Sequence, residues 1–171
     1  MLELLKNRRS IRKFTDEKIS KEDLDKILKV GLLAPSSMGK KPVEMIVIED
    51  KETILKLETC KKHGTLPLKT APLVIAVIAD SELSDVWVED ASIVSILIQL
   101  EVEKLGLGST WIQMRKRESM EKSSEEAVRE VLDIPEKYGV LSLIAIGHKD
   151  EEKKPYDESD VNLGKVHHNK F

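Results

Sequence analysis

The feature that most constrains the fold is a long helical segment, Ala91 to Leu105, in which apolar side chains predominate. Glu89 and Asp90 precede it and suit the first turn of a helix. The polar positions of the segment form one narrow stripe, whose members are Ser92, Ser95, Gln99 and Glu103. A helix that is apolar on nearly all sides is normally buried. We therefore expect this helix to be either the centre of the core or one half of a contact between two subunits.

The composition indicates one globular domain spanning residues 1–171. Of these 171 residues 40% are apolar and 35% are charged, so the chain can bury a sizeable core and is not disordered. The longest purely apolar run, Leu73 to Ala79, is far too short to span a membrane. The charged N-terminus lacks the apolar stretch of a signal peptide. We therefore expect no membrane partner.

Net charge and cysteine content narrow the classes further. The formal net charge is −3, which argues against a nucleic-acid partner because such binding needs a broadly basic face. Cys60 is the only cysteine, so the chain cannot form an internal disulfide. A reducing compartment suits such a chain, and we expect a cytoplasmic location.

Local patterns predict nine elements in the order helix, helix, strand, helix, strand, long helix, strand, helix, strand. The predicted strands are Val43–Glu49, Leu73–Ala79, Ser109–Ile112 and Val140–Ile146. Helix starts are marked by Ser20, by Asp50 before a helix Glu52–Lys62, and by Ser123 with Glu126 before a helix through Leu132. This order predicts an α+β or α/β sandwich. The charged segment Gly147–Phe171 lacks periodicity and is either disordered or laid across a partner.

The strongest functional candidate is the basic segment that contains Arg8, Arg9, Ser10 and Arg12. Three guanidiniums and a hydroxyl within five residues can surround one phosphate, because the guanidinium fork matches phosphate oxygens in pairs. The alternatives are a solvated basic turn or a nucleic-acid arm. Composition alone does not distinguish a phosphate site from these two alternatives.

Two loops are the next candidates. The loop Ala34–Pro42 carries small hydroxyls and Gly39, which would let backbone approach a planar ligand, although an ordinary connection would look the same. The segment Gly106–Ile112 is not a dinucleotide fingerprint, since a helix ends there and a strand begins. For Gly106 the simpler interpretation is a helix C-cap.

Three weaker features favour a structural interpretation. No acid or cysteine completes a metal site with the adjacent His167 and His168, so we predict no metal. The loop Arg115–Arg117 could meet a second phosphate of a cofactor, but a solvated loop is the favoured interpretation. Cys60 has no nearby basic residue that would make it a nucleophile. We therefore name no catalytic side chain.

Taken in order, these pieces resemble the nitroreductase family of FMN flavoproteins over nearly the whole chain. The matching motifs are RRSIRKF (residues 8–14), the P-S-S loop of Pro35–Ser37 closing at Pro42, APLVIAVIAD (71–80), WVEDA (87–91), GLGSTWI (106–112), LDIPEKY (132–138) and IGH (146–148). The first motif is fairly specific, and the others gain weight from their joint order.

The resemblance implies an α+β fold: a three-layer α/β/α sandwich with a mostly antiparallel sheet and a long buried central helix. It implies a homodimer that shares FMN between subunits, with residues 148–171 packing on the partner. Arg8, Arg9, Ser10 and Arg12 would hold the phosphate and ribityl chain, and Pro35, Ser36 and Ser37 would come from the other subunit. Cofactor contacts are also expected from Trp111, Ile112, Gln113, Lys41, His148 and Lys153.

The resemblance also implies an activity. NADH or NADPH would reduce the flavin, and a small electron acceptor such as a nitroaromatic or quinone would reoxidise it in a ping-pong cycle. The alternatives are another flavin reaction on the same scaffold, such as reductive dehalogenation, or a non-catalytic flavin-binding or anion-binding module. The chain departs from the common family pattern at Gly39, Lys41 and Val43, and Lys149 or Lys154 could replace Lys153 at the phosphate.

Overall fold

The structure, a computed structural model, describes residues 1–171 and is built around a four-stranded sheet. In chain order the elements are α1 (Leu2–Asn7), α2 (Lys21–Leu32), β1 (Val43–Ile48), α3 (Lys51–Thr59), β2 (Leu73–Asp80), α4 (Trp87–Lys104), β3 (Gly108–Gln113), α5 (Ser124–Leu132) and β4 (Tyr138–Gly147). The strands lie in the order β1-β2-β4-β3, and every neighbouring pair is antiparallel. The predicted order of elements is confirmed, and α+β is the correct one of the two expected classes.

The three predicted helix starts are present as capping interactions. The Ser20 hydroxyl accepts from the amide of Asp23 at 3.1 Å, and the Asp50 carboxylate accepts from the amide of Thr53 at 2.8 Å. Ser123 forms a complete capping box at the start of α5. The helix predicted to reach residue 62 ends instead at residue 59. One reason is that the amide of residue 62 donates at 3.0 Å to a carbonyl in the loop before α5, outside the helix.

The core lies in two layers, one on each face of the sheet. One apolar cluster fills the space between the sheet and the helices α3 and α5, and the other lies between the sheet and the helices α2 and α4. Every residue from Leu73 to Ala79 in β2 is buried, because β2 is a central strand covered on both faces. This arrangement confirms the expected three-layer sandwich.

One side of the helix α4 is partly exposed, although its sequence is typical of a helix that is buried on nearly all sides. Its polar residues Ser95 and Gln99 are buried against the sheet and bond to serines of β4 and β3. Ile93 and Ile96 lie on the other side and are each 37% exposed. Within one chain α4 therefore buries Ser95 and Gln99 together with apolar side chains such as Ile98, and it leaves two isoleucines partly exposed.

Two glycines connect α4 to β3. Gly106 has φ +78°, and its amide and that of Leu107 donate to the last carbonyls of α4, both at 3.0 Å, which confirms the predicted C-cap. Gly108 begins β3, where an added Cβ would lie 2.9 Å from Ile11. A side chain at this position would separate the N-terminal segment from β3.

The C-terminal segment contacts its own chain as far as Glu158: the amide of Tyr156 donates to the carbonyl of Lys6 at 2.9 Å, and the Lys6 ammonium binds Glu158 at 2.6 Å. The amide of Thr15 donates to His148 and that of Asp150 donates to Lys13, so residues 148–150 run beside residues 13–15. From residue 152 to residue 171 every residue is exposed, including the apolar Leu163. This segment contains two short 3₁₀ turns, Glu158–Asp160 and Leu163–Lys165.

None of the helices has both the length and the apolar character that crossing a membrane requires.

Candidate functional site

The strand β3 lies at the edge of the sheet and presents backbone groups on its open side. The carbonyl of Ser109 accepts from the amide of Ile11 at 2.9 Å, and Ser10 pairs with Ser109 in parallel orientation. Backbone groups in an antiparallel strand alternate between its two edges. Those of Trp111 and Gln113 therefore point to the same open edge as Ser109, where no further strand follows. This edge offers backbone donors and acceptors to a ligand.

The predicted basic segment lies at the Ser109 end of this open edge. Buried Ile11 and Phe14 anchor it to the core, while Arg8 and Arg9 are half-buried and Arg12 is exposed. None of these guanidiniums forms an ion pair, because every ion pair of the chain is made by a lysine or a histidine. The guanidiniums of the segment therefore have no ion-pair partner within the chain, although Glu151 accepts from the backbone amide of Arg12.

The side chains of the basic segment do not all make the same contacts. The Arg9 guanidinium lies 4.3 Å from the ring centroid of Tyr156 and donates to the carbonyl of Lys154. The guanidinium of Arg12 reaches back to the carbonyl of Ser10 at 3.4 Å, which is a weak contact. Arg9 is thus held by the C-terminal segment, whereas Arg12 makes no strong side-chain contact.

The three lysines that follow β4 are all paired, but they lie in different places. The ammonium groups bind carboxylates as follows: Lys149 with Glu103 at 2.8 Å, Lys153 with Glu151 at 2.7 Å and Lys154 with Asp157 at 3.2 Å. A cavity of about 700 Å³ beside the basic segment is lined by Asn7, Arg9, Ile11, Glu103, Lys149, Asp150, Glu151, Glu152, Lys153 and Pro155. Lys149 and Lys153 share this cavity with Arg9, and Lys154 does not.

Glu151 connects the C-terminal segment to the basic segment. Its carboxylate binds the Lys153 ammonium and accepts from the backbone amide of Arg12 at 2.5 Å. These contacts, with Lys153 the largest, hold the pKa of Glu151 below its usual value. Glu151 is therefore an anion that positions both Arg12 and Lys153, and sequence reasoning did not identify it.

The P-S-S loop lies at the other end of α4, where a buried aspartate holds it. The amide of Ser37 donates to the Asp90 carboxylate at 2.8 Å, and the amide of Lys41 donates to the Ser36 hydroxyl at 2.8 Å. Met38 and Lys41 adopt positive φ values of 52° and 49°, which side chains rarely favour. Asp90 was recognised from the sequence only as a first-turn acid. Its contact with the loop depends on tertiary structure.

The basic segment and the P-S-S loop do not meet within one chain. The loop contacts Asp90 in the first turn of α4, while Glu103 near the last turn contacts Lys149 beside the basic segment. At 1.5 Å per residue these two positions are about 20 Å apart along the helix axis. The open edge of β3 runs between the two ends.

The three residues expected near a flavin ring differ in what they present. The indole of Trp111 donates to the Gln113 side chain at 2.8 Å, and that amide donates to the carbonyl of Arg115 at 3.0 Å. Ile112 is only 2% exposed, packs in the core next to α3 and α5, and directs its backbone toward β4. Trp111 and Gln113 therefore present backbone to the open edge, and Ile112 does not.

Two further expected contacts, Lys41 and His148, already have partners in the chain. The Lys41 ammonium lies 3.4 Å from the carbonyl of Leu32, at the C-terminal end of α2. His148 is half-buried, and its ring lies 3.6 Å from the carboxylate of Glu17. Neither contact is strong enough to prevent a ligand from replacing it.

The weaker sequence candidates lie away from the open edge or have a structural role. Burial, followed by the nearby Glu130, raises the pKa of the Cys60 thiol to about 11, so it is a poor nucleophile at neutral pH. The ring of His167 stacks on that of Phe171 at a centroid distance of 4.2 Å. The guanidinium of Arg115 lies 5.6 Å over the ring of Trp87.

The fold and these contacts define an α+β protein with a cationic segment and free strand-edge amides on one side of an antiparallel sheet. Comparison with known proteins identifies the group to which it belongs. The model of the nitroreductase family matches residues 5–64 and 59–148, and the chain belongs to this family.

The relatives cover the chain nearly from end to end. The structure of an FMN-dependent nitroreductase from Clostridium difficile R20291 is 51% identical, covers 100% of both chains and superimposes with a TM-score of 0.98. A protein of Archaeoglobus fulgidus, provisionally named NADH dehydrogenase/NAD(P)H nitroreductase, is 38% identical over 99% of this chain and 98% of its own length. An FMN reductase (NAD(P)H) of Bacillus subtilis is 27% identical over 91% of this chain and 69% of its own length.

Proposed function

We propose that this protein is an FMN-dependent oxidoreductase that takes its electrons from NADH or NADPH. Its membership of the nitroreductase family supports this activity, as do the names of its relatives. The observation that carries the proposal is the combination found at the edge of β3. Guanidiniums without carboxylate partners lie next to strand amides without a neighbouring strand.

The residues present fit the phosphate end of FMN. A phosphate with nearly two negative charges needs cations and hydrogen-bond donors that are fixed in position. Arg8, Ser10 and Arg12 would supply them, with Arg9 and Lys153 contributing from the adjacent cavity. Glu151 holds the backbone at Arg12 and so keeps the segment in place for this role.

The open edge of β3 fits the ring system of FMN. A flavin ring carries nitrogen and oxygen atoms along one edge, and the backbone groups of Trp111 and Gln113 would bond to them. Ile112 would support this strand from the core instead of touching the ring. Of the three residues expected near the ring, Trp111 and Gln113 would therefore bind it, and Ile112 would hold the strand in place.

We further propose a homodimer in which the P-S-S loop completes the site of the other subunit. Three observations support it: the basic segment and the loop are about 20 Å apart along α4, Ile93 and Ile96 are exposed on α4, and residues 152–171 are wholly exposed. Pro35, Ser36, Ser37 and Lys41 would then meet the FMN held by the partner. The segment 148–171 would pack across the contact.

When bound, FMN supplies the redox chemistry, accepting hydride from the nicotinamide and reducing a second substrate in a separate half-reaction. The side chains of this protein bind and orient, and none has to act as a nucleophile. We propose small acceptors such as nitroaromatics and quinones. Gly39, Lys41 and Val43 stand where many family members carry Asn, Gln and Trp, so the acceptor pocket would differ from the common one at this loop.

The test is spectroscopic and then kinetic. The purified protein should be yellow, release about one FMN per chain and oxidise NADH or NADPH when a nitroaromatic or quinone is added. A colourless protein that takes up no added FMN would contradict the proposal. A yellow protein that oxidises neither nicotinamide would be a flavin-binding module without this activity.

A further inference from the structure

Asp90 is a buried carboxylate whose two oxygens have separate partners. It is 2% exposed and lies in the first turn of α4. One oxygen accepts from the backbone amide of Ser37 at 2.8 Å, and the other accepts from the hydroxyl of Ser84 at 3.2 Å. No lysine, arginine or histidine pairs with it.

A carboxylate in this position is costly unless its contacts are well made. Burial of a charge without a counterion is unfavourable, and hydrogen bonds together with the N-terminal end of a helix offset only part of that cost. Without an oxygen acceptor at this position the amide of Ser37 would lose its hydrogen bond. The carboxylate is therefore best explained by the segment that it holds.

That segment has a backbone shape that needs external support. Met38, Gly39 and Lys41 all have positive φ, at 52°, 68° and 49°. Such conformations persist only when surrounding contacts hold them. The bond from Ser37 to Asp90 holds this loop to α4. The loop is held to itself by the bond from Lys41 to Ser36 and by two backbone bonds, from Gly39 to Ser36 and from Lys40 to Ser37.

We propose that Asp90 is a positioning residue for the flavin site. Its carboxylate holds the amide of Ser37, so that the P-S-S loop has its binding shape before FMN arrives, and Ser84 orients the carboxylate. This inference rests on the proposed function, in which the loop contacts FMN across the dimer. Asp90 itself touches no cofactor atom. Its effect passes through the loop.

The test uses three substitutions and measures FMN dissociation from the purified holoprotein on dilution. Asp90→Ala removes the acceptor for Ser37 and should weaken FMN binding by about 30-fold or more. Asp90→Asn keeps an oxygen acceptor for the Ser37 amide and replaces the other oxygen by an NH2 group that can donate to the Ser84 hydroxyl, so FMN binding should stay within about 3-fold of the wild type. The matched control is Ser95→Ala, a buried polar residue of α4 that contacts none of the candidate segments. It should lower the melting temperature without weakening FMN binding.

Hydrogen exchange at the Ser37 amide tests the anchoring without reference to activity. Exchange should accelerate in Asp90→Ala and remain slow in Asp90→Asn and Ser95→Ala. If Asp90→Ala does not fold, Ser84→Ala decides the question, with faster exchange at Ser37 and about 3-fold weaker FMN binding expected.

Three results would overturn the inference: unchanged exchange at Ser37 in the variant tested, faster exchange with unchanged FMN affinity, or equal losses in Asp90→Ala and Asp90→Asn. The last result would assign the effect to charge instead of position. A wild-type protein that binds no FMN would refute the proposed function, while the exchange measurement would still report on the anchoring by Asp90.

Discussion

The two helical layers of this sandwich cover the same sheet but differ in the side chains that they expose on their outer sides. The outer side of α5 carries exposed Glu126 and Glu130, as expected for an amphipathic helix that faces water. The outer side of α4 carries exposed Ile93 and Ile96, while its polar side chains are buried against the sheet. Thus α5 faces water with charged side chains, whereas α4 presents two isoleucines there, which supports our proposal that a second subunit covers α4.

The largest effect is expected when a charge is placed on the open side of α4. Ile96→Glu should fold, because the side chain is already partly exposed in one chain. In the proposed dimer it would bury an unpaired carboxylate at a cost of roughly several kcal/mol, so the protein should become monomeric and lose FMN. Sedimentation velocity and flavin content measure both effects.

The control is a substitution of the same kind on the other layer. Leu55 on α3 is 42% exposed, and Leu55→Glu should leave both the dimer and its FMN intact. If the two variants behave alike, the proposed difference between the layers is wrong.

The next effect concerns the basic segment at the end of β3. Arg12→Ala should weaken FMN binding by about 2–4 kcal/mol, or roughly 30-fold to 1000-fold, because a phosphate loses a charge-assisted donor. Arg117→Ala, in the exposed loop after β3, should leave the affinity unchanged. Titration of the flavin-free protein with FMN, followed by fluorescence quenching, compares them. Equal affinities for Arg12→Ala and wild type would remove the phosphate role of the segment.

A smaller effect should follow from shortening the C-terminus. Deleting residues 152–171 leaves the pairing of residues 148–150 with residues 13–15 intact. The deletion removes Lys153, the contacts of Tyr156 with Lys6 and Arg9, and the proposed packing on the partner. It should spare the core but weaken the dimer and FMN retention together, by about 10-fold. A truncated protein that keeps both would show that the segment is an appendage.

The smallest effect concerns Cys60, which is buried in the α3 and α5 layer. Its thiol has a pKa of about 11 in the folded protein, against 9.0 as its ordinary value. The unfolded state therefore releases this proton first, so the thiol's contribution to stability is full below pH 9 and is lost as the pH rises toward 11. Cys60→Ala should show a shallower fall in the free energy of unfolding over this range. An identical fall in both proteins would mean that the thiol is not shielded.

Much of this fold could be predicted from local sequence. The caps at Ser20, Asp50 and Ser123 depend on residues three positions away, so the sequence displays them directly. The buried β2 followed from a run of apolar side chains. The exposed side of α4 could not be predicted in this way. Apolar side chains indicate that a surface is covered, but not whether the same chain or a second subunit covers it.

The candidate site was predicted less completely than the fold. The basic segment and the P-S-S loop were visible as motifs, and the structure places each at a defined end of α4. The roles of Asp90 and Glu151 were missed because they arise from contacts between segments distant in the sequence. The difference between Ile112 and Gln113 depends on the register of β3 against Ser10, which no local pattern reveals.

The most direct test of the account is sedimentation of the purified protein with detection both of protein and of the visible flavin absorption. If two subunits share the site, both signals should sediment together at the mass of a dimer, with about one FMN per chain. A stable monomer that carries a full complement of FMN would contradict the claim that two subunits share the site.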